Sequence, residues 1–292
     1  MAEETKVANI KVIDALNYPF NTEAVRHKVA PEEVQMMLAQ LFKTVVQDVA
    51  KDYVGKTPQE FVADMDALGY DKVIIAGLKM WSYRNNRMAW DFTVEQVYEI
   101  VKDYPDRLIG AASYNPWRIE ESIRDIDRSA KEWGFKYVFF HPASFNLPIN
   151  DRRFYPIYAK CVELDVTVGM QVGHSAELFP SEPGRPIYVE DVALNFPNLR
   201  IILSHAGWPW TEEFIAMVWK FPNVYGDIAA HRPRRLEPSL LRFIDTRGRD
   251  KMLFATNGID LRMPKEEAME LNIRDEAKVK FMRENAIRAF KL

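Results

Sequence analysis

Histidine shows the clearest pattern among the side chains of this sequence that can do chemistry. The chain of 292 residues has five histidines, and four of them follow closely after short apolar runs that are typical of strands: His141, His174, His205 and His231. An imidazole titrates near neutral pH and is also a common metal ligand, so this placement indicates proton transfer or metal binding. We expect His205 to be the main acid or base, because its Ser-His-Ala-Gly turn exposes the end of a strand.

Carboxylates and one phenol stand near other strand ends. Asp227 and Asp260 are candidates to orient His205 or to share its proton transfer. Tyr18 is an equally good candidate for a proton donor and for a packed aromatic residue. Asp14 is explained more simply as an acceptor that stabilises a turn than as a base. The predicted catalytic residues are His205, Asp227, Asp260 and Tyr18.

Amides, arginines and aromatic side chains at the same ends could form a binding pocket. Arginine binds carboxylates through two parallel hydrogen bonds, and aromatic walls suit planar ligands, so we expect a small carboxylated, aromatic-derived substrate. The predicted substrate-binding residues are Asn257, Gln171, His174, His141, Arg84, Arg87, Trp81, Tyr83 and Trp208. The tryptophans could equally pack between loops or in a subunit interface, because seven in one chain cannot all contact a substrate.

Eight short apolar runs, each followed by an amphipathic stretch, must position these side chains. The alternation predicts parallel strands covered by helices, and eight units favour a closed (β/α)8 barrel over a doubly wound sheet. In such barrels the reactive groups lie at the C-terminal ends of the strands. The predicted strands are residues 11–16, 72–77, 108–114, 137–141, 167–173, 200–205, 223–229 and 252–257, with a helical insertion at 22–52 after the first.

Composition and charge narrow the function classes. Hydrophobic residues make up 48% of the chain, enough for one large core, so we expect residues 1–292 to form a single domain. A net charge of −3 with interspersed signs leaves no basic face for nucleic acid. The sequence shows neither a signal peptide nor an apolar run of about 20 residues, which favours a cytoplasmic protein away from membranes. The single cysteine, Cys161, excludes a disulfide framework.

Three stretches carry a resemblance to a known family: GFKYVFFHPASFNLPINDRRFYPIYAKCVELDVTVGMQVG, FPNLRIILSHAGWPW and KMLFATNGID. In this order they resemble the amidohydrolase-related family that includes aminocarboxymuconate-semialdehyde decarboxylase, resorcylate decarboxylases and pyrone-dicarboxylate lactonase. The similarity runs over nearly the whole chain. It implies the barrel fold and a small-molecule substrate. It leaves the reaction open, because members of the family hydrolyse, decarboxylate and hydrate.

The resemblance also implies a divalent-metal site, with a His-x-His pair on strand one, a His on strand five and an Asp on strand eight. In this sequence those positions hold Leu16, Tyr18, Gln171 and Asn257. Zinc and manganese need about three or four imidazole, thiolate or carboxylate ligands, so we expect no metal cofactor. A divalent metal bound by His141, His174 and His205 is the alternative. His205 is retained on strand six, where the family often has a catalytic histidine.

These observations lead to three functional hypotheses. The main one is a metal-independent hydrolase of a small carboxylated compound, with His205 as acid and base and with neighbouring donors stabilising the anion. The second is a lyase, either a decarboxylase or an enzyme that cleaves a carbon–carbon bond of a similar substrate. The third is a non-catalytic binding protein on an inactive barrel. A homodimer is compatible with the tryptophan-rich surface.

Overall fold

The computed structural model describes residues 10–32, 34, 36, 55–258 and 260–292. The strands within these ranges are β1 (Val12–Asn17), β2 (Tyr70–Ala76), β3 (Lys79–Ser82), β4 (Arg87–Asp91), β5 (Leu108–Ala112), β6 (Tyr137–Phe140), β7 (Thr167–Gln171), β8 (Ile201–Ser204), β9 (Val224–Asp227) and β10 (Met252–Leu253). Eight of them pair in parallel in the order β1-β2-β5-β6-β7-β8-β9-β10. The eight predicted strands and the barrel fold are therefore confirmed.

The barrel closes between β1 and the segment that follows β10. Ala15 N donates a hydrogen bond to Phe254 O, and Asn257 N donates one to Leu16 O, both at 2.9 Å. Phe254 N donates instead to Phe281 O at 3.0 Å, outside the ladder. The eighth strand is therefore shorter than predicted, although the residues that follow it still lie against β1.

Helices cover the outside of the barrel. Those in the described part of the chain are α1 (Thr22–Val29), α2 (Pro58–Leu68), α3 (Val94–Val101), α4 (Ile119–Trp133), α5 (Tyr155–Leu164), α6 (Val189–Asn195), α7 (Thr211–Lys220), α8 (Pro238–Asp245), α9 (Arg262–Met269), α10 (Asp275–Val279) and α11 (Asn285–Phe290), with a π-helical turn at Lys280–Glu284. Short 3₁₀ turns lie at Pro142–Phe145, Arg152–Phe154, Glu182–Gly184, Pro186–Tyr188 and Pro233–Arg235.

Local sequence explains where the helices begin and end. In α2, Thr57 and Glu60 form a capping box, Pro58 occupies the first turn, and Gly69 ends the helix in the left-handed conformation at φ 74°. Helix α1 confirms that the segment after β1 starts as a helix. The rest of the predicted insertion, residues 33 and 35 and 37–52, lies outside the described residues.

Large side chains fill the interior of the barrel. Tyr137 and Phe139 on β6 point inward, and Phe290 of α11 packs against Tyr137 with ring centroids 5.0 Å apart. Gly169 on β7 makes room for Tyr137, because a Cβ atom there would lie 1.6 Å from Tyr137 Oη. A filled interior leaves the C-terminal ends of the strands as the place for a site.

A feature absent from the predictions is the antiparallel hairpin β3–β4 that follows β2. The sequence interpretation treated it as a loop. Its strands are only four and five residues long and carry charged side chains, so their alternation gives a weak signal. Trp90 Nε1 donates to Lys28 O at 2.9 Å and joins the hairpin to α1. The hairpin therefore forms part of the wall at the barrel mouth.

The described helices also bear on membrane association. None of them is both long enough and apolar enough to cross a bilayer. The single domain over residues 1–292, the cytoplasmic location and the homodimer stay predictions.

Candidate functional site

His205 follows β8 directly, where the barrel opens. Its side chain is only 6% exposed, and its Nδ1 atom lies 3.0 Å from Ser204 Oγ. The ring lies nearly parallel to that of Phe139, with centroids 6.4 Å apart. His205, Ala206 and Gly207 all have positive φ angles, a conformation that costs free energy in residues other than glycine. The fold therefore holds this imidazole in one place at the expense of local backbone strain.

Asp227 follows β9 on the adjacent strand and organises the turn around His205. Its Oδ1 atom accepts hydrogen bonds from Ser204 Oγ at 2.8 Å, from His205 N at 3.1 Å and from Ala229 N at 2.9 Å. Its Oδ2 atom is buried and accepts no hydrogen bond from the residues that the structure describes. One of the two predicted supporting aspartates is thus linked to His205 through Ser204.

Asp260 lies elsewhere. Its two carboxylate oxygens accept hydrogen bonds from Arg262 N and Met263 N, each at 3.1 Å, at the start of α9. This is the position of an acceptor that satisfies free N–H groups at a helix start. The structure does not bring Asp260 to His205, and its catalytic role stays a prediction.

Asp14 joins the first and last strands of the barrel. It accepts hydrogen bonds from Thr256 N at 2.8 Å, from Thr256 Oγ1 at 2.5 Å, from Asn17 Nδ2 at 3.1 Å and from Leu16 N at 3.3 Å. These donors occupy both carboxylate oxygens. The geometry therefore favours the interpretation of Asp14 as a structural acceptor at the site where the barrel closes.

Burial raises the pKa of Asp14 to about 6, although its hydrogen bonds to Thr256, Asn17 and Leu16 oppose the shift. The folded protein thus prefers the protonated carboxyl, whose pKa in the unfolded chain is near 3.8. The contribution of Asp14 to stability is largest below pH 3.8, falls as the pH rises to 6, and is constant above that.

We therefore expect Asp14→Asn to gain stability relative to the wild type as the pH rises from 4 to 6. The gain corresponds to about 3 kcal/mol at 1.4 kcal/mol per pKa unit. Urea unfolding of both proteins at several pH values measures it, with Asp103→Asn, an exposed residue just after α3, as the control. A difference between Asp14→Asn and wild type that does not change with pH would contradict the assignment.

The protonation of His205 depends on its surroundings. Burial lowers its pKa well below 6.5, and the nearby His231 and His141 lower it further. The Asn257 side chain opposes this shift and favours the protonated ring. Asn257 Oδ1 is itself buried and accepts no hydrogen bond from the described residues. His205 is therefore neutral in the free protein, and Ser204 and Asn257 are the polar neighbours that can interact with a protonated ring.

His141 and Tyr18 are neutral groups at the same end of the barrel. Burial lowers the pKa of His141 to about 4, and its Nδ1 atom accepts a hydrogen bond from Ser144 N at 3.2 Å, so the ring proton is on Nε2. Burial raises the pKa of Tyr18 well above 10, and the charges of Glu177, Asp227 and Asp14 add to the shift. Both side chains are thus donors that keep their protons at neutral pH.

The loop after β7 contributes two groups that the sequence interpretation did not single out. The Phe179 ring lies 5.6 Å from that of His141, and the charge of Glu177 acts on Tyr18. In the same region the rings of His174 and Trp208 contact each other at 5.7 Å, and both residues are exposed at the rim. An acidic residue in a long loop after a barrel strand is a weak signal, which is why Glu177 was missed.

The remaining predicted substrate-binding residues lie at different distances from the strand ends. Gln171 is buried at the end of β7, and its backbone pairs with Ser204 beside the site. Tyr83, Arg84 and Arg87 are exposed at the tip of the hairpin, where Arg84 pairs with Glu32 at 3.2 Å. Trp81 lies between, with its ring 6.5 Å from that of Phe145. The structure does not bring the arginines to His205, and their role stays a prediction.

A cavity of about 760 Å³ lies beside the end of β1 and the segment that follows β10. Its walls include Asn17, Phe20, Lys28, Gly258 and Asp260, but not His205. Burial lowers the pKa of Lys28 to about 8. His205 and Asp227 do not line this cavity, so the candidate site is the cluster of acid–base groups at the ends of β8 and β9.

Solved structures with the same fold cover almost the whole chain. An uncharacterized TIM-barrel protein from Bordetella bronchiseptica is 21% identical, with a TM-score of 0.71 over 96% of this chain and 98% of that one. The 5-carboxyvanillate decarboxylase of Sphingomonas paucimobilis is 13% identical, with a TM-score of 0.68 over 97% and 99%. The corresponding enzyme of Novosphingobium aromaticivorans is 19% identical, with a TM-score of 0.69 over 96% and 97%. No curated protein sequence matches significantly.

These structures correct the prediction that no cofactor is needed. The Novosphingobium decarboxylase and a dihydroxybenzoic acid decarboxylase from Polaromonas were crystallised with manganese. The prediction was wrong because it was drawn from ligand types at four positions, whereas proteins of this fold do bind a divalent ion.

The described residues of this chain do not provide the set of ligands that such an ion usually needs. In the described ranges, no three residues of the types His, Cys, Asp and Glu lie close enough together to hold a metal. The alternative site of His141, His174 and His205 is therefore not formed, and His174 Nδ1 lies 2.6 Å from Ser181 Oγ instead. No chemical step is therefore assigned to a metal.

The prediction of an enzyme of the resembled family is tested by sequence as well as by fold. Residues 52–292 match the family model described as amidohydrolase. The match covers most of the chain and confirms the resemblance carried by the three stretches. The family match leaves the hydrolase hypothesis itself unconfirmed. The chain belongs to the amidohydrolase family.

Proposed function

We propose that the chain is a lyase that decarboxylates a small aromatic carboxylate, with His205 delivering the proton that replaces the carboxylate group. Structures that share the fold include 5-carboxyvanillate decarboxylase and 2,6-dihydroxybenzoate decarboxylase, and these names support an aromatic carboxylate as the substrate class. A 4-oxalomesaconate hydratase shares the fold less closely, with a TM-score of 0.59. Decarboxylation is therefore the reaction we favour over hydration and hydrolysis.

The observation that carries this proposal is the set of acceptors around His205. Ser204 Oγ lies 3.0 Å from Nδ1, and the Asn257 side chain favours the protonated ring. A protonated imidazole donates from both nitrogens, whereas a neutral one donates from only one. The surroundings thus suit a histidine that acts as an acid, which decarboxylation requires beside the departing carboxylate.

The negative charge of the substrate stabilises the protonated form of His205. In the free protein, burial and the neighbouring histidines keep His205 neutral. A carboxylate that enters the site places a negative charge beside the ring and raises its pKa. Tyr18 and His141 keep their protons and can donate hydrogen bonds to the same anion. His205 therefore becomes protonated when the substrate binds.

The chemical step transfers one proton from His205 to the substrate. The Nε2–H of the His205 imidazolium gives its proton to the ring carbon that bears the carboxylate, and a new C–H bond forms. The C–C bond to the carboxylate breaks, its electron pair restores the ring, and CO₂ leaves. His205 returns to its neutral form and takes up a proton with the next substrate. The net reaction consumes one proton for each CO₂ released.

Assays with a small panel of acids test the proposal. We expect the purified protein to release CO₂ from 5-carboxyvanillate, 2,6-dihydroxybenzoate or a related hydroxylated benzoate, measured with and without added manganese. A His27→Gln variant serves as the matched control, because His27 is exposed on α1 and has no role in the step. Hydration of 4-oxalomesaconate, or hydrolysis of a lactone, without CO₂ release from any member of the panel would contradict it.

A further inference from the structure

Ser204 lies between His205 and Asp227, and the sequence interpretation gave it no role. We propose that Ser204 is a positioning residue that couples His205 to Asp227 and fixes the proton of the neutral imidazole on Nδ1. The catalytic consequence of this assignment rests on the proposed function, whereas the proton position does not.

The argument starts from the single proton of the Ser204 hydroxyl. Ser204 Oγ lies 2.8 Å from Asp227 Oδ1 and 3.0 Å from His205 Nδ1, so both neighbours compete for that proton. A hydrogen bond to a carboxylate is roughly twice as strong as one between neutral groups. The hydroxyl therefore donates to Asp227, and its oxygen is left to accept.

The position of the imidazole proton follows from the hydrogen bond that Ser204 donates to Asp227. Since Ser204 Oγ faces Nδ1 as an acceptor, the neutral ring must donate from Nδ1 and carry no proton on Nε2. Nε2 is then the nitrogen that can take up a proton when substrate binds. Ser204 and Asp227 are both fully buried, so bulk water does not compete for these hydrogen bonds.

Asp227 is fixed independently of the hydroxyl. Its Oδ1 atom also accepts from His205 N and Ala229 N, and this keeps the carboxylate in place when the serine changes. The other titratable groups that act on the pair are His231 and His141 near His205 and Asp14 near Asp227. Burial raises the pKa of Asp227 to about 6, so the carboxylate is ionised at pH 8.

Nitrogen-15 NMR of histidine-labelled protein at pH 8 tests the proton position without any substrate. A His205→Gln spectrum assigns the signals. We expect the wild-type His205 ring to carry its proton on Nδ1, Ser204→Thr to keep it there, and Ser204→Ala to move at least half of the population to Nε2. Ser113→Ala is the matched control, because Ser113 is a buried serine just after β5 that accepts from Lys79 N at 3.1 Å.

Two results would overturn the assignment: a wild-type ring protonated mainly on Nε2, or a Ser204→Ala spectrum equal to that of the wild type. On the best substrate of the panel we further expect Ser204→Ala to lower kcat about tenfold at unchanged KM, with recovery in Ser204→Thr. If the NMR result is as expected but no acid is decarboxylated, the proposed function fails while the role of Ser204 in setting the proton stands.

Discussion

Replacement of His205 by glutamine is expected to lower kcat/KM for decarboxylation by about 1,000-fold, within the range that general acid catalysis contributes. Glutamine keeps polar atoms near Ser204 and Asn257 but cannot carry the proton. The loss should appear in kcat, because the proton is needed in the transition state more than for binding. Steady-state CO₂ release from the best substrate of the panel measures it.

The control for this experiment separates chemistry from folding. His27→Gln changes the same residue type on the exposed side of α1, and we expect it to keep wild-type kinetics. Circular dichroism and thermal unfolding of both variants report whether the barrel is intact. A His205→Gln protein that is folded and retains more than about a tenth of the wild-type kcat/KM would remove His205 from the reaction.

Replacement of Gly169 by alanine is expected to destabilise the protein by about 3 kcal/mol, at the upper end of overpacking effects. The new Cβ atom would lie 1.6 Å from Oη of Tyr137 and 2.3 Å from its Cζ. Tyr137 cannot swing away easily, because its ring is fully buried and packs against Phe290. Urea unfolding at neutral pH measures the change.

A matched glycine shows whether the effect is specific to this contact. Gly77→Ala, just after β2, places a Cβ atom no closer than 3.4 Å to any neighbour, which is ordinary contact, so we expect a change of less than about 1 kcal/mol. Tyr137→Phe should be neutral or slightly stabilising, because Tyr137 Oη is buried and has no hydrogen-bond partner in the described ranges. Equal stability of Gly169→Ala and wild type would contradict the packing of the barrel interior.

The sequence predicted the barrel because its signal is local and repeated. Each strand is a short apolar run and each helix an amphipathic one, so eight independent observations supported one architecture. The β3–β4 hairpin was missed, since its strands lie at the rim and carry exposed charges. The last strand was predicted too long, because its end bonds to β1 and to Phe281 rather than to a ladder partner.

The sequence predicted that the site lies at the ends of the strands, but not how its residues contact one another. Adjacent strands bring Asp227 to His205, whereas the sequence left both Asp227 and Asp260 as candidates. Asp260 looked equivalent in sequence, yet it binds the first N–H groups of α9. The role of Ser204 depends on two distances that no spacing in the sequence encodes. The metal prediction failed for a similar reason, because residue types at separate positions do not determine what a fold can bind.

One measurement tests the central claim most directly. A substrate of the panel with carbon-13 in its carboxylate is converted in D₂O, and the products are followed by NMR. We expect the label to leave as CO₂ and bicarbonate, and one deuteron to appear on the ring carbon that it vacated, at a rate that depends on His205. Label that remains in the organic product while the substrate is consumed would contradict the proposed decarboxylation.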